Sequence, residues 1–241
     1  MTWSLIARDG SGALGVAVAS RFFAVGALCP HARSGVGAVA TQALVNPHYG
    51  YTALEAMARH DDPAEIVRTL TAADAGRDHR QLHLVDSAGR IAAHTGAACI
   101  AWCGHRAGRD FSVAGNMLAG GRVLDDTAAA FVAGGTLPFA LRLITALAAG
   151  EAAGGDKRGK QAVALIVCTT EVYPALDLRV DDHPEPIVEL RRLYEKSRER
   201  FQPFVACLPS RGNPAGITDR AVIEAEIERF QTVRSDLPGT A

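Results

Sequence analysis

The first forty residues alternate apolar and polar positions in the way that is typical of short β-strands. Trp3, Leu5 and Ala7 alternate with Ser4, Ile6 and Arg8, and residues 14–20 (LGVAVAS) form a small apolar run. Between them lies Asp9-Gly10-Ser11-Gly12, which is turn chemistry, so the pattern predicts a β-hairpin. Residues 24–29 and 35–42 (GVGAVATQ) are two further predicted strands. Runs of this kind are typical of strands covered on both faces.

A helical period replaces this alternation after residue 50. Helices are predicted over 51–60 and 63–73, the second opening with Asp62 as N-cap and Pro63 at its first position. A second hairpin is predicted at 81–86 and 90–94, and strand-like pieces at 99–103 and 111–114. The pattern then predicts a helix pair in 125–149, strands at 161–168 and 176–180, and helices at 184–201 and 218–230.

The order of these elements indicates the fold class. The strands come as hairpins rather than in βαβ alternation, which favours antiparallel sheets covered by helices, an α+β layered fold. We predict one domain over residues 1–205 and a C-terminal loop and helix extension over 206–241. No glycine-rich phosphate loop follows a strand, so nucleotide binding is not indicated.

Composition excludes several classes of partner. The 241 residues hold 25 Lys+Arg against 26 Asp+Glu, so the basic excess that nucleic acid requires is missing. No run approaches the ~18 apolar residues of a membrane span. Charge at Arg8 and Asp9 argues against a secretory signal, and five cysteines, an odd number, argue against a disulfide framework. We therefore expect a cytoplasmic protein with a small-molecule substrate and no cofactor, nucleic acid or membrane partner.

The distribution of lysine limits the chemistry further. Lysine occurs only at Lys157, Lys160 and Lys196, so the first 156 residues contain none. A lysine base or a Schiff-base lysine in that part of the chain is therefore excluded.

Thr2 is the first candidate for catalysis. If Met1 is removed, the Thr2 hydroxyl lies beside its own free α-amine, whose pKa of about 7.7–8.0 lets it act as a base near neutral pH. Nucleophile and base then belong to one residue. The ordinary alternative is that many proteins begin with Met-Thr and make no use of it.

Other polar groups at predicted strand ends have two readings each. Asn116 after Gly115 can present an amide to a substrate carbonyl, or form an Asx turn. Thr41-Gln42 and the segment 46–48 can line a pocket or bond within a loop, and the charged glycine-rich segment 154–161 is best read as a solvated turn. Asp181, Asp182 and His183 invite a metal, although an ion pair and a helix cap explain them better.

A cysteine pair offers a last motif. Cys99, Cys103 and His105 would share one face of a strand, but positions i and i+4 on a strand lie about 13 Å apart, too far for one zinc ion. Buried free thiols are the preferred interpretation.

Four segments carry a resemblance to a known family. Residues 2–50 (TWSLIARDGSGALGVAVASRFFAVGALCPHARSGVGAVATQALVNPHYG), GNMLAGG, AAGGDKRGKQAVALIV and LDLRVDDHPEPIVELRRLY resemble a bacterial domain of unknown function, DUF1028. Members of that family resemble N-terminal-nucleophile (Ntn) hydrolases. The resemblance covers about residues 2–200 and implies a four-layer αββα sandwich of two mainly antiparallel sheets, and a homo-oligomer.

The same resemblance implies roles for particular residues. Thr2 becomes nucleophile and base, and residues 15–20 with Arg21 form the neighbouring return strand. The strand end at Thr41-Gln42-Ala43 supplies an oxyanion N–H, and Asn116 is a further pocket group.

One departure from the Ntn pattern concerns lysine. Proteasome-type sites use a lysine on the third or fourth strand, where this chain has none. His31 or Arg33 would have to replace it electrostatically, and because arginine cannot shuttle a proton, the α-amine carries the base role alone.

These expectations combine into one reading of function. We expect hydrolysis of a small-molecule amide or related C–N bond by Thr2. A non-catalytic binding or scaffold protein with the same fold is the alternative, and a metal-assisted hydrolase built on residues 181–183 is a third.

Overall fold

A computed structural model of the protein describes residues 2–235, which form two compact units, one up to Leu190 and one from Arg191 onward. Met1, whose removal the Thr2 hypothesis needs, and residues 236–241 of the expected extension lie outside the described residues. The boundary expected after residue 205 stays a prediction.

The strands are β1 (Thr2–Arg8), β2 (Leu14–Ser20), β3 (Pro30–Arg33), β4 (Gly37–Ala43), β5 (Arg80–Asp86), β6 (Ile91–Thr95), β7 (Gly104–Gly108), β8 (Phe111–Asn116), β9 (Ala162–Cys168) and β10 (Leu176–Val180). The α-helices are α1 (Pro47–Ala58), α2 (Pro63–Ala72), α3 (Arg122–Ala133), α4 (Phe139–Ala152), α5 (Pro186–Glu199), α6 (Phe201–Val205) and α7 (Arg220–Ser235).

The strands of the first unit form two antiparallel sheets. One has six strands in the order β10-β9-β2-β1-β8-β7, and the other has four in the order β3-β4-β5-β6. The sheets pack face to face through β1, β2, β4 and β5. Helices α1 and α2 cover the four-stranded sheet, and α3 and α4 cover the six-stranded one. The expected four-layer αββα sandwich is therefore confirmed.

Alternation along the central strands decides which side chains enter the space between the sheets. In β1, Ser4 and Ile6 point into that space, while Trp3 turns to the helix side, where Gly150 and Gly155 leave room for its indole. The inter-sheet space is filled in large part by small aliphatic side chains: Ile6, Leu14, Val16, Val18, Ala38, Ala40, Val85, Ala162 and Ala164. The small side chains predicted for doubly covered strands thus form a buried core.

The predicted helix starts rest on visible caps. The Asp62 side chain accepts a hydrogen bond from the Ala64 N–H at 2.9 Å, with Pro63 at the first helical position. Helix α1 begins at Pro47, four residues before its predicted start, because the Asn46 side chain caps the His48 N–H at 3.2 Å. None of the described helices is both long and apolar enough to cross a membrane.

Two predicted strands are wrong. Residues 24–29 contain a 3₁₀ turn at Val25–Ala27, entered through Ala24 in the left-handed conformation, and the strand comes later, at Pro30–Arg33. Val25 and Cys29 are buried although the backbone turns here. A short apolar run in the sequence does not distinguish a buried turn from a buried strand. Residues 99–103 form a loop, with the Cys99 N–H bonded to the Gly96 carbonyl, so the expected alignment of Cys99, Cys103 and His105 on one strand does not exist.

Candidate active site

Thr2 opens the central strand β1 and is held from both sides. It lies opposite Ser20 of β2 and opposite Asn116 of β8 in the antiparallel register. Its side chain is almost fully buried, with 6% of the residue exposed. A residue paired on both flanks within a six-stranded sheet has little freedom to fray, so the Thr2 hydroxyl has a fixed position.

A cavity of about 330 Å³ opens beside Thr2. Its polar lining consists of Thr2, Cys29, Thr41 and Gln42. The rest of its lining is apolar and comes from the turn after β2 and the end of β4: Phe22, Val25, Leu28, Ala43, Leu44 and Val45. A concave, mainly apolar cleft with a few polar groups is the usual form of a small-molecule site.

The Thr2 hydroxyl has a polar neighbour. Its Oγ1 lies 3.1 Å from Ser20 Oγ, and either oxygen can donate the hydrogen. This contact orients the hydroxyl, and Ser20 is a site residue that the sequence did not single out.

The end of β4 supplies a candidate oxyanion donor. The Thr41 N–H bonds to the Cys29 carbonyl at 3.1 Å, whereas the Leu44 N–H bonds to the His79 carbonyl at 3.0 Å on the opposite edge. Because amides alternate between the two edges of a strand, the Ala43 N–H faces the same edge as that of Thr41, towards the cavity. Ala43 itself has φ 68°, a strained value for alanine, at the point where the strand ends.

Behind Thr2, the space between the sheets contains hydrogen-bonded polar side chains in place of aliphatic ones. We call this group the interior polar layer, and its members are at most 2% exposed: Ser4, Gln42, Gln81, His83, Ser112 and Asn116. At its centre, the Gln81 Oε1 accepts from Gln42 Nε2 at 3.1 Å and from Asn116 Nδ2 at 2.8 Å. Gln81 Nε2 donates to the Gly115 carbonyl at 2.8 Å, which ties the two sheets together.

The network fixes the protonation of His83. Burial lowers the pKa of His83 to about 3, so its ring is neutral near pH 7. Ser4 Oγ donates its hydrogen to Gln42 Oε1 at 2.7 Å. Ser4 Oγ must therefore accept from His83 Nε2, which lies 2.8 Å away, so Nε2 carries the ring hydrogen. His83 Nδ1 then accepts from Ser112 Oγ at 3.0 Å. The ring is occupied on both sides and supports Ser4 and Gln42 rather than acting on Thr2.

Asn116 and Gln42, both predicted site residues, lie near Thr2 but are engaged in this layer. Gln42 lines the cavity of Thr2. Asn116 lines a neighbouring cavity of about 200 Å³, which shares Ala43 and Leu44 with the first and also contains His79. The predicted strand-end residues are therefore brought together around the Ala43–Leu44 segment.

The structure does not bring His31 and Arg33 to Thr2. Both lie on the helix-facing side of β3, where a Cβ at Gly50 would come within 2.1 Å of the His31 ring. His31 Nε2 lies 3.2 Å from the Leu28 carbonyl, and burial lowers the pKa of this ring. Arg33 Nη2 donates to the Leu54 carbonyl of α1 at 2.7 Å. The substitution for a lysine that we expected of them is not supported by this geometry.

Arg21 lies directly after Ser20, but its side chain is exposed. Its Nη1 donates to Gln161 Oε1 at 3.0 Å, and its backbone N–H bonds to Asp156 Oδ2 at 3.0 Å. The buried Asp156 carboxylate also accepts from Arg158, so it fixes the chain just beyond the end of β2. Arg21 is therefore near the site without lining its cavity.

The remaining motifs have local partners. Asp181 pairs with Arg179 at 2.9 Å, Asp182 accepts from Gln161 at 3.1 Å, and His183 Nδ1 accepts from the Glu185 N–H at 3.0 Å. Within residues 2–235 no group of three or more His, Cys, Asp or Glu side chains is arranged to hold a metal ion. In the glycine-rich segment, Lys160 pairs with Glu151 and Glu185.

Most members of the interior polar layer escaped the sequence analysis. Ser4 stands in the predicted first strand, and Gln81 and His83 stand in the predicted strand 81–86, but none of the three is among the candidate site residues of the sequence analysis. The signal that could have found them is the coincidence of polar residues at alternate positions of two strands that are both expected to be covered.

The chain is similar to one family model and to solved structures. The model of a family of unknown function, DUF1028, matches residues 2–190. The structure of protein SPO2555 from Silicibacter pomeroyi, assigned to DUF1028, matches with a TM-score of 0.84 and 32% identity, covering 91% of this chain and 96% of that one. Anbu (ancestral beta-subunit) from Yersinia bercovieri matches with a TM-score of 0.38 and 13% identity over 99% of both chains. No protein of curated function matches significantly.

Proposed function

The chain belongs to the DUF1028 family, and from that premise we propose that it is a hydrolase of a small-molecule amide or related C–N bond, with Thr2 as nucleophile after removal of Met1. The observation that carries the proposal is the fixed Thr2 hydroxyl at the wall of a cavity of about 330 Å³. The free α-amine is the base, because no lysine occurs before Lys157 and the neutral His83 is occupied by Ser4 and Ser112.

In the acylation step, Thr2 Oγ1 attacks the amide carbonyl carbon and its proton passes to the Thr2 α-amine. The carbonyl oxygen becomes an oxyanion, which the Ala43 N–H stabilises as a hydrogen-bond donor. The carbon–nitrogen bond then breaks, and the leaving nitrogen takes the proton from the Thr2 ammonium. The products of this step are a free amine and an acyl ester on Thr2.

In deacylation, water is the nucleophile and the Thr2 α-amine is again the base. The α-amine takes a proton from the water molecule as the water oxygen attacks the ester carbonyl carbon. The bond from carbon to Thr2 Oγ1 breaks, Oγ1 regains a proton, and a carboxylic acid leaves. Ser20, 3.1 Å from Oγ1, positions the free hydroxyl before it attacks the next substrate.

Screening across amides, ureides and lactams, followed by substitution of Thr2, tests the proposal. Thr2→Ala removes the nucleophile, and we expect turnover to fall by at least about 1,000-fold. Thr2→Ser retains a hydroxyl and should retain measurable activity. Thr69→Val, on the exposed surface of α2, is the matched control and should leave turnover unchanged. Full turnover by a pure Thr2→Ala protein would remove Thr2 from the mechanism.

Intact mass and Edman degradation test the second requirement. A mature chain that starts at Thr2 has a free amine, whereas retained Met1 leaves Thr2 without its base. If Met1 is retained in all active preparations, the α-amine mechanism is wrong. If Met1 is removed but no amide, ureide or lactam is cleaved, the alternative of a non-catalytic binding protein takes its place.

Assembly and location stay predictions. We propose a cytoplasmic homo-oligomer, as the Ntn resemblance implies, and light scattering of the purified protein measures its mass directly. A monomer at micromolar concentration would contradict this part of the proposal without touching the chemistry.

A further inference from the structure

The described side chains that line the cavity beside Thr2 are all uncharged. None of the lining residues within 2–235 carries a charged side chain, and most are aliphatic or aromatic. The polar groups that reach it are already paired: the Thr41 hydroxyl donates to the Asn46 carbonyl at 3.2 Å, and Gln42 is bonded to Ser4 and Gln81. Burial raises the pKa of the Cys29 thiol far above its usual range, which keeps this group neutral as well.

The reaction itself decides which part of a substrate enters this cavity. In acylation the amine departs, while the acyl part stays covalently joined to Thr2 Oγ1. Thr2 lines the apolar cavity and not the neighbouring one that contains Asn116 and His79. The acyl part must therefore occupy the cavity beside Thr2, and the neighbouring cavity, which contains His79 and Asn116, is left for the amine.

Building on the proposed function, we infer that the substrate class is amides of uncharged, apolar acyl groups, and that the wall formed by Phe22, Val25 and Leu28 selects them. The volume of about 330 Å³ holds roughly ten water-sized groups, which corresponds to a short aliphatic chain or a small aromatic ring. An acyl group that ends in a carboxylate would lose its water there without meeting a charged side chain.

A matched pair of anilides provides the test. Pentanoyl and succinyl 4-nitroanilide share the leaving group and have acyl chains of similar length, but only the second carries a carboxylate. We expect kcat/KM for the pentanoyl compound to exceed that for the succinyl compound by at least about 100-fold, because the site offers the carboxylate no partner.

Leu28→Arg should weaken or reverse the preference for the pentanoyl compound. Leu28 is 37% exposed at the cavity wall, so an arginine there reaches both the cavity and water, and its guanidinium can pair with the succinyl carboxylate. The preference should shrink to less than about tenfold or reverse. Val132→Arg, at a site 61% exposed on the outer helix α3, is the control and should keep the wild-type preference. Thermal unfolding of each variant verifies that it is folded.

Binding to Thr2→Ala protein separates this inference from the catalytic proposal. Calorimetry compares N-phenylpentanamide with N-phenylsuccinamic acid as ligands of the variant. Selective binding of the pentanamide, in a protein whose wild type cleaves neither anilide, would support the inference and count against hydrolysis of such amides. Equal cleavage of both anilides would overturn the inference and retain catalysis. Binding of neither ligand, or a preference unchanged by Leu28→Arg, would also overturn the inference.

Discussion

Two parts of the space between the sheets, built by the same strands, are packed by opposite means. Strand β1 contributes Ile6 to the aliphatic part and Ser4 to the interior polar layer, and β5 contributes Val85 to the first and His83 to the second. Aliphatic burial stabilises without direction, whereas buried amides stabilise only when every donor meets its acceptor. The aliphatic part therefore holds the sheets together, and the polar layer fixes how they are aligned beside Thr2.

Gln81→Ala should break this comparison most strongly. The substitution leaves Gln42 Nε2, Asn116 Nδ2 and the Gly115 carbonyl without their partner in a fully buried place. We expect a loss of about 3–5 kcal/mol in the free energy of unfolding, measured with urea. Val85→Ala on the same strand, in the aliphatic part, is the control and should lose about 2 kcal/mol. A smaller loss for Gln81→Ala than for Val85→Ala would show that the polar layer contributes little.

The pH dependence of stability should come next in size. His83 has a pKa of about 3 in the folded protein and about 6.5 in the unfolded chain, so below pH 6.5 the unfolded chain binds a proton that the folded one does not. The contribution of neutral His83 to the free energy of unfolding is complete above pH 6.5. Below pH 6.5 the free energy of unfolding falls by about 1.4 kcal/mol per pH unit, so that about 2 kcal/mol is lost at pH 5.

Urea unfolding at pH 7 and pH 5 measures this change. The exposed His48→Gln variant should keep the wild-type difference between the two pH values, and in His83→Gln that difference should be smaller by about 2 kcal/mol. An undiminished difference in His83→Gln would place the responsible group elsewhere.

Two serine variants, one beside Thr2 and one in the interior polar layer, should show smaller losses in the free energy of unfolding, of about 1 kcal/mol. Ser20→Ala removes the contact to Thr2 Oγ1, and Ser112→Ala removes the contact to His83 Nδ1. Each should cost about 1 kcal/mol of stability, measured by urea unfolding. Only Ser20→Ala should lower kcat, by about tenfold, because only Ser20 touches the proposed nucleophile. Equal kcat values for both variants would argue against a positioning role for Ser20.

The smallest effect is expected outside both parts. Asp181→Asn removes the partly exposed pair with Arg179, and an ion pair of this kind contributes less than about 0.5 kcal/mol. Differential scanning calorimetry should show nearly no change in Tm. A large loss would mean that Asp181 has a role beyond this pair.

Much of the fold could be predicted because its signals are local. The first hairpin follows from Asp9-Gly10 between two apolar runs, and α2 follows from Asp62-Pro63 before a helical period. The strand expected at 24–29 failed for a physical reason, since Val25 and Cys29 enter the core from a turn and burial alone does not specify extended backbone.

The candidate site was predictable only in part. Thr2 was singled out as the residue after Met1, and Gln42 and Asn116 as polar residues at predicted strand ends, whereas the role of Ala43 came only from the family resemblance. These residues lie around one segment of the structure. His31 and Arg33 lie away from Thr2 because the register of their strand decides which face of the sheet their side chains occupy. The sequence alone does not specify that register. The partners of Gln81 come from four other strands and are non-local for the same reason.

The clamping of Thr2 between Ser20 and Asn116 has a practical consequence for anyone expressing this protein. An affinity tag or fusion partner joined upstream of Thr2 is attached at the wall of the cavity, so it would both block the α-amine and crowd the entrance. Purification handles therefore belong at the other end of the polypeptide, because a preparation with an upstream tag cannot test the proposal for Thr2.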